Sequence, residues 1–185
     1  MERTVALVMA GGAGERLRPL TEVRAKPAVP FGGKYRLIDF TLSDCVNSGV
    51  RRVYVLTQYK STSLQRHIQE CWGISSAALG DFIYAVPAQQ KLGPSWYGGT
   101  ADAIRQNLDL IEGRGITDVL ILSGDHVYKM DYSQMLSYHR ERACSLTVAT
   151  ISVKKEEAAG KLGVFEIDVS DQVLACEEKP PQPKA

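Results

Sequence analysis

The fold of this chain is decided by one stretch, Val5-Ala6-Leu7-Val8-Met9-Ala10-Gly11-Gly12-Ala13-Gly14-Glu15-Arg16-Leu17. Its apolar first half contains β-branched residues and predicts a buried strand. The glycines that follow predict a tight turn that presents backbone N–H groups, and the cations Arg16 and Lys26 come after them. Amides and cations at the end of a strand suit a polyphosphate. The stretch therefore predicts a nucleotide site.

Two common nucleotide-binding loops do not fit this turn. A dinucleotide loop, G-x-G-x-x-G, needs its third glycine where Leu17 stands, because helix and strand approach closely there. A Walker A loop needs Gly-Lys-Ser/Thr, and no such string follows Gly14. The charge comes instead from Arg16, a planar fork suited to phosphate, and Lys26, a mobile point charge. The alternative is a β-to-α turn with solvated cations, and the loop alone leaves both open.

Length and composition narrow the class of protein. The chain has 185 residues, 44% hydrophobic and 23% charged, enough for one domain with a substantial core. A net charge of +1 predicts neither nucleic acid nor membrane as a partner. The four cysteines lack C-x-x-C or metal-ligand spacing, which favours reduced thiols. The first apolar run is too short for a signal peptide or membrane span, so a cytoplasmic location is predicted, or a plastid after processing.

Apolar runs alternate with amphipathic segments along the chain. Strands are predicted over residues 5–9, 53–56, 82–86, 119–122, 146–151, 164–167 and 173–176. Helices are predicted over residues 38–47, 63–71, 101–112 with Thr100 as N-cap, and 133–142 after Asp131. This alternation predicts a three-layer α/β/α Rossmann-like fold with a mostly parallel mixed sheet. Ligands then bind beyond the carboxyl ends of the strands.

Asp125 stands just past the strand predicted over residues 119–122. A carboxylate there projects to the same edge of the sheet as the glycine turn. It could hold Mg²⁺ against nucleotide phosphates, since magnesium usually takes only one or two protein carboxylates. The alternative is an aspartate that caps a turn, which an isolated strand end favours. His126 beside it is more often a hydrogen-bonded neighbour than a ligand or base.

Further blocks continue the pattern of the loop across nearly the whole chain. They are P-L-T (19–21), A-K-P (25–27), F-G-G-K-Y-R-L-I-D-F (31–40), P-A-Q-Q (87–90), W-Y-G-G-T-A-D-A (96–103), S-G-D-H-V-Y-K-M-D-Y (123–132) and E-E-K-P (177–180). With G-G-x-G-x-R-L, these blocks resemble the sugar-phosphate nucleotidyltransferases and, among them, the glucose-1-phosphate adenylyltransferase family of glycogen and starch synthesis. Several blocks in order are far more specific than one glycine loop.

The resemblance implies a site with several parts. The implied catalytic residues are Arg16, Lys26 and Asp125, with Asp125 as the Mg²⁺ ligand. The implied nucleotide contacts are Met9, Ala10, Gly11, Gly12 and Gly14, with Gln89 or Gln90 presenting its amide to the base. The implied sugar-phosphate contacts are Tyr97, Gly163, Glu178 and Lys179, and Arg36 matches a position linked to nucleotide effectors. From the residues alone, Glu178 and Lys179 are a common surface pair and Tyr97 could equally pack within a lid.

The implied reaction transfers AMP from ATP to α-D-glucose 1-phosphate, giving ADP-glucose and pyrophosphate. The sugar phosphate is already an anionic nucleophile, so catalysis consists of positioning and charge neutralisation, with Arg16 and Lys26 on the leaving pyrophosphate. Three alternatives stay open: a relative that uses another nucleoside triphosphate, a regulatory subunit that binds nucleotide without turnover, and a plain cofactor-binding domain. The first alternative is disfavoured by the W-Y-x-G-T-A-D and P-A-Q-Q blocks. The second is disfavoured because Arg16, Lys26 and Asp125 are all retained, and the third because Leu17 stands in place of the third glycine.

The chain departs from the family in three places. It stops at Ala185, whereas the family continues with more catalytic domain, a second metal-binding aspartate and a left-handed β-helix. Residues 1–185 are therefore expected to be an incomplete catalytic domain of a protein that forms a homo- or hetero-tetramer. Val23 and Pro30 replace a lysine and a histidine of some bacterial members, which puts effector response in doubt. Glu15 replaces a common threonine, a change the family is expected to tolerate.

Overall fold

The computed structural model describes residues 3–73, 79–91, 96–113 and 115–183. The strands are β1 (Thr4–Ala10), β2 (Pro30–Phe31), β3 (Tyr35–Arg36), β4 (Arg52–Thr57), β5 (Phe82–Pro87), β6 (Asp118–Ser123), β7 (Gly163–Ile167) and β8 (Val173–Glu178). The α-helices are α1 (Ile38–Asn47), α2 (Thr62–Cys71), α3 (Thr100–Arg105), α4 (Tyr132–Glu141) and α5 (Lys155–Ala158). The chain divides into two compact units, Met1–Ala143 and Cys144–Ala185. That both belong to one incomplete domain stays a prediction.

Four parallel strands form the central sheet of the first unit, in the order β5, β4, β1, β6. In β1 every residue except Met9 is buried, and in β4 every residue except Arg52. Near-continuous burial is typical of parallel strands covered on both faces, which is why these strands read as unbroken apolar runs. The strands predicted over residues 5–9, 53–56, 82–86 and 119–122 are confirmed, each lengthened by one residue at one or both ends.

Helices cover both faces of this sheet. On one face, α1, α2 and α4 pack against the strands through Leu42, Leu64 and Leu136. On the other face, α3 and the segment after it contribute Ala103 and the partly buried Ile111. The three-layer α/β/α architecture and the parallel character of the main sheet are therefore confirmed. Antiparallel pairing occurs, within the described ranges, in the small β2–β3 and β7–β8 sheets.

Helix α3 is much shorter than predicted. It ends at Arg105 and a short 3-10 turn, Leu108–Leu110, follows, so the helix predicted over residues 101–112 is wrong in length. The side-chain amide of Asn107 donates to the carbonyl of Ala103 at 2.7 Å and competes with the backbone N–H that would continue the helix. Gly99, rather than Thr100, is its N-cap.

The other predicted helices match the structure closely. Helix α1 coincides with residues 38–47, and α2 begins one residue before its predicted start. Helix α4 follows Asp131, whose carboxylate accepts the N–H of Ser133 at 2.9 Å as an N-cap should. In the described part of the chain, no helix has the length and apolar content needed to cross a membrane.

The second unit contains α5 and an antiparallel hairpin of β7 and β8. This hairpin confirms the strands predicted over residues 164–167 and 173–176. The strand predicted over residues 146–151 is wrong, because these residues have no regular structure and Leu146 and Ile151 are exposed. A strand needs a neighbour for its backbone hydrogen bonds, and no strand pair of the described residues includes this segment.

Candidate nucleotide site

Two adjoining cavities lie at the carboxyl end of the central sheet. The strand-end cavity, of about 310 Å³, is lined by Met9, Ala10, Gly11, Gly12, Lys26, Pro27, Leu56, Gln58, Tyr97, Gly99, Thr100, Ala103, Ser123 and Asp125. The loop cavity, of about 570 Å³, is lined by Gly12, Gly14, Glu15, Arg16, Leu17, Lys26 and Asp125. Open α/β sheets bind ligands at this edge, and both volumes suit a small ligand.

The glycines of the loop differ in what requires them. Gly14 has a φ of 66°, and a Cβ there would lie 2.7 Å from the Cβ of Lys26, so only glycine fits. At Gly12 no heavy atom lies within 4 Å of the place a Cβ would take. The fold therefore requires Gly14, whereas Gly12 leaves open space on the wall shared by both cavities.

Hydrogen bonds hold the loop to itself and to the connection after β4. The N–H of Lys26 donates to the carbonyl of Gly12 at 3.3 Å, and the hydroxyl of Thr21 donates to the carbonyl of Gly14 at 2.9 Å. The N–H of Ala25 donates to the carbonyl of Lys60 at 3.3 Å, and the Lys60 ammonium in turn donates to the carbonyl of Glu22. The cations of the loop thus extend from a braced backbone.

Lys26 and Asp125 form an ion pair on the wall common to both cavities. Lys26 Nζ lies 2.5 Å from Asp125 Oδ2, and the hydroxyl of Ser123 donates to Asp125 Oδ1. Burial would raise the pKa of Asp125. The hydrogen bonds from Lys26 and Ser123 and the charges of Lys26 and His126 outweigh burial and hold that pKa below its usual 3.8. The carboxylate is therefore kept ionised, as a metal ligand must be.

The structure brings the three predicted catalytic residues together. Arg16 lies in a 3-10 turn, Glu15–Leu17, and lines the loop cavity with Lys26 and Asp125. Lys26 and Asp125 are 99 residues apart in sequence, yet they meet because the carboxyl ends of β1 and β6 share one edge of the sheet. Their chemical roles stay predictions, but the geometry that those roles need is present.

The strand-end cavity is lined by most of the predicted nucleotide contacts. Met9, Ala10, Gly11 and Gly12 all line it. Gln89 and Gln90, which the structure describes as exposed residues just after β5, line neither cavity. The glutamine that does line it is Gln58, which follows the last residue of β4 as Gly11 follows the last residue of β1. Sequence reasoning missed Gln58, although its place after a buried strand was a usable signal.

Tyr97 also lines the strand-end cavity, as part of a braced turn. Its hydroxyl accepts a hydrogen bond from the side chain of Asn107 at 2.9 Å. The carboxylate of Asp102 accepts from the N–H of Gly98 at 2.9 Å and from the side chains of Arg105 and Gln106. These bonds, with that from Gly98 first, hold the pKa of Asp102 below its usual value. These bonds fix the turn at the amino terminus of α3.

Comparison with known proteins decides the family. The sequence model described as nucleotidyl transferase matches residues 5–185. The chain belongs to the nucleotidyl transferase family. The family expected from the motifs is thus confirmed.

Three curated relatives of this nucleotidyl transferase chain bear the name glucose-1-phosphate adenylyltransferase. That of Methylococcus capsulatus is 56% identical over 181 residues, which cover 98% of this chain and 42% of the relative. That of Nitrosococcus oceani is 55% identical over 181 residues, 98% of this chain and 43% of the relative. That of Teredinibacter turnerae is 54% identical over 180 residues, 97% of this chain and 43% of the relative. The chain spans about two fifths of the length of these relatives.

The sugar-phosphate residues predicted for this nucleotidyl transferase lie in its second unit, apart from Tyr97. Gly163 and Glu178 are paired across β7 and β8, and a Cβ on Gly163 would lie 3.2 Å from Glu178 Oε2. Lys179 Nζ lies 3.0 Å from Glu178 Oε1, and both side chains are exposed. The structure therefore brings Gly163, Glu178 and Lys179 together, and their predicted ligand stays a prediction.

Arg36, the predicted effector residue, is engaged in contacts within the first unit. Its guanidinium donates to the carbonyl and hydroxyl of Ser63 at 2.6 and 2.8 Å. The backbone N–H of Arg36 donates to the carboxylate of Asp39 at 2.8 Å. Asp39 also accepts from the ring nitrogens of His67 and Trp72, at 2.7 and 2.8 Å. Arg36 therefore joins β3 to α2, and an effector role stays a prediction.

The residues at the loop cavity fit a divalent cation that arrives with phosphate. Asp125 supplies an ionised, partly exposed carboxylate. Within the ranges that the structure describes, no group of three or more His, Cys, Asp or Glu side chains could hold a metal. A single carboxylate does not make a metal cage, but it does suit Mg²⁺, whose other ligands are commonly phosphate oxygens and water.

Proposed function

We propose that the protein containing this chain transfers AMP from ATP to α-D-glucose 1-phosphate, releasing pyrophosphate and forming ADP-glucose. The observation that carries the proposal is the convergence of Arg16, Lys26 and Asp125 on one cavity beside the glycine loop. Membership of the nucleotidyl transferase family supports the reaction class, and the printed names of the relatives support the two substrates.

The residues of the two cavities match the needs of this reaction. A phosphate oxygen of the sugar phosphate attacks the α-phosphorus of ATP in line, and the bond from that phosphorus to the β-phosphate oxygen breaks. The amides of the loop and Arg16 hold the β- and γ-phosphates, so the pyrophosphate leaves against fixed positive charge. Lys26 also neutralises charge on the leaving pyrophosphate, while Met9 and Leu56 form an apolar floor for the nucleoside.

Asp125 is the residue of this chain that would hold Mg²⁺. When bound, the ion would neutralise charge on the phosphates. Asp125 is placed for this because it lies on the wall shared by the two cavities, where Lys26 and Ser123 each donate to one of its oxygens. A homo- or hetero-tetrameric assembly, a cytoplasmic or plastid location and exclusion of nucleic acid and membranes as partners are further parts of the proposal.

A pyrophosphate-release assay with glucose 1-phosphate and each of ATP, UTP, dTTP and GTP tests the proposal on the full-length protein. We expect turnover with ATP that exceeds turnover with the other three nucleotides by at least tenfold. Omission of glucose 1-phosphate or of magnesium serves as the control and should abolish release. Preference for another nucleotide would reassign the substrate, and ATP binding without turnover would indicate a regulatory subunit instead.

A further inference from the structure

Thr21 contacts the turn of the glycine loop in two ways. Its side chain is buried, with 3% of the residue exposed. Its hydroxyl donates to the carbonyl oxygen of Gly14 at 2.9 Å, and its methyl carbon lies 3.0 Å from the place a Cβ on Gly14 would take. One side chain thus packs against the left-handed residue of the loop and also binds that residue's carbonyl.

The carbonyl of Gly14 accepts a second hydrogen bond, from the N–H of Leu17 at 2.9 Å. A carbonyl oxygen has two lone pairs, so these two donors use its full capacity. Because the peptide unit is planar and trans, a fixed carbonyl also fixes the N–H of the same unit, which belongs to Glu15 and points the opposite way. The N–H of Glu15 therefore points away from the Thr21 hydroxyl.

We infer that Thr21 is a positioning residue for the phosphate end of the nucleotide. Its hydroxyl fixes the peptide plane between Gly14 and Glu15, and through that plane the direction in which the Arg16 turn enters the loop cavity. Gly14, Glu15 and Arg16 all line that cavity. The inference rests on the proposed function and adds to it a residue that touches no substrate.

Loss of the hydroxyl should therefore affect the triphosphate and spare the sugar phosphate. In the full-length protein, Thr21→Val keeps the shape of the side chain and removes the donor. We expect it to lower kcat/KM for ATP about three- to tenfold, the range of one neutral hydrogen bond. KM for glucose 1-phosphate should stay within twofold of the wild type.

Thr21→Ser and Thr21→Ala isolate the hydroxyl in a background that lacks the methyl group. Serine should retain ATP kinetics within about twofold, whereas alanine should reproduce the defect of valine. These two variants also decide the question if valine at this position fails to fold. Thr117→Val is the matched control, because Thr117 donates to Asp118 at the opposite end of the sheet, at 2.9 Å. It should leave both KM values and kcat unchanged.

The inference is overturned if Thr21→Val and Thr21→Ala leave ATP kinetics unchanged, or if they weaken both substrates equally. It is also overturned if serine is as defective as alanine. Calorimetric titration with ATP separates it from the proposed function. A wild type that binds ATP but releases no pyrophosphate removes the proposed reaction, and the ranking of ATP affinities among the Thr21 variants still decides the role of the hydroxyl.

Discussion

Strand β6 has an aspartate near each end, and each is paired with a distant cation. At the amino end, Asp118 accepts from Nε and Nη2 of Arg140 at 3.2 and 2.8 Å, and Nη2 also donates to Thr4 at 2.9 Å. Just past the carboxyl end, Asp125 is paired with a single ammonium, that of Lys26, at 2.5 Å. The side chain of Asp118 is 9% exposed and that of Asp125 25%, so the first carboxylate is the more buried. The cation of the first pair, Arg140, is 44% exposed, whereas both members of the second pair lie on a cavity wall.

The difference between the two ends shows how an ion pair can serve either the fold or a ligand. The planar guanidinium of Arg140 donates to two fixed acceptors, on Asp118 and Thr4, and so holds β1, β6 and α4 in one arrangement. An ammonium has three donors, and the bond to Asp125 uses one. Lys26 can therefore turn to a phosphate without any change in the backbone. The ion pair at the amino end of β6 therefore connects elements of the fold, and the one at its carboxyl end belongs to the candidate nucleotide site.

The largest expected effect comes from Asp125→Asn, which keeps the shape of the side chain and removes its charge. We expect kcat of the full-length protein to fall by about 100- to 1000-fold, or about 3–4 kcal/mol, because the phosphates lose a charged anchor for their cation. Pyrophosphate release measures the loss, and thermal unfolding should show a Tm within a few degrees of the wild type. Asp118→Asn should instead lower Tm and leave kcat close to that of the wild type. Equal loss of kcat in both variants would show that the two aspartates do not differ in function.

At the carboxyl edge of the sheet, Gly14 and Gly12 of the loop after β1 are expected to differ in the same way, one being needed for the fold and the other for the ligand. Gly14→Ala should lower the free energy of unfolding by about 2–4 kcal/mol, since alanine opposes the positive φ and overlaps Lys26. Gly12→Ala should leave it unchanged and raise KM for ATP at least tenfold, because the new methyl group occupies cavity space. Urea unfolding and steady-state kinetics measure the two effects. Unchanged ATP kinetics in Gly12→Ala would place the phosphates elsewhere.

Exchange of lysine and arginine at positions 140 and 26 tests the same difference between the two ion pairs. Arg140→Lys retains the charge and loses the fork, so the free energy of unfolding should fall by about 1 kcal/mol with kcat unchanged. Lys26→Arg should lower kcat about tenfold with little effect on Tm, since the broader guanidinium cannot take the position of the ammonium. Denaturation curves and kinetics of both variants provide the check. A loss of activity in Arg140→Lys would show that the amino end also serves the reaction.

The smallest expected effect is on the dependence of stability on pH. Burial would raise the pKa of Asp118, but hydrogen bonds from Arg140 and Thr117 and the charges of Arg140 and His139 hold it below its usual 3.8. Its contribution is therefore fully present above about pH 4 and is lost as pH falls through the lowered pKa. Urea unfolding at about pH 5 and pH 3 should show a shallower loss in Asp118→Asn than in the wild type. An equal loss of unfolding free energy in the two proteins would show that Asp118 does not contribute to the dependence of stability on pH.

The sequence predicted the central sheet well because its two inner strands, β1 and β4, are buried on both faces and its two outer strands, β5 and β6, are also largely apolar. Their apolar runs carry the signal by themselves, as in β1 and β4. Residues 146–151 have a similar composition but no strand partner in the described chain, and pairing is a property of the whole fold. Helix α3 was predicted too long because the bond from the Asn107 side chain to Ala103 is invisible in a periodic pattern.

The candidate site was predictable where the topology alone places residues. Arg16 and Asp125 follow strands whose carboxyl ends share one edge, so their convergence follows from the parallel sheet. The direct bond between Lys26 and Asp125, and the contact of Thr21 with Gly14, depend on the path of the loop. Gln58 lines the cavity because β4 lies beside β1, an order that the chain sequence does not state.

The strand order has a consequence for synthesis on the ribosome. Of the four described strands of the central sheet, β1 is translated before the others but lies between β4 and β6, and Asp125 is made 99 residues after Lys26. Until β6 leaves the exit tunnel, one long edge of β1 has no partner in the nascent chain, and such edges invite association with other chains. A nucleotide that needs Arg16, Lys26 and Asp125 together therefore cannot bind, or assist folding, before β6 and Asp125 have been translated.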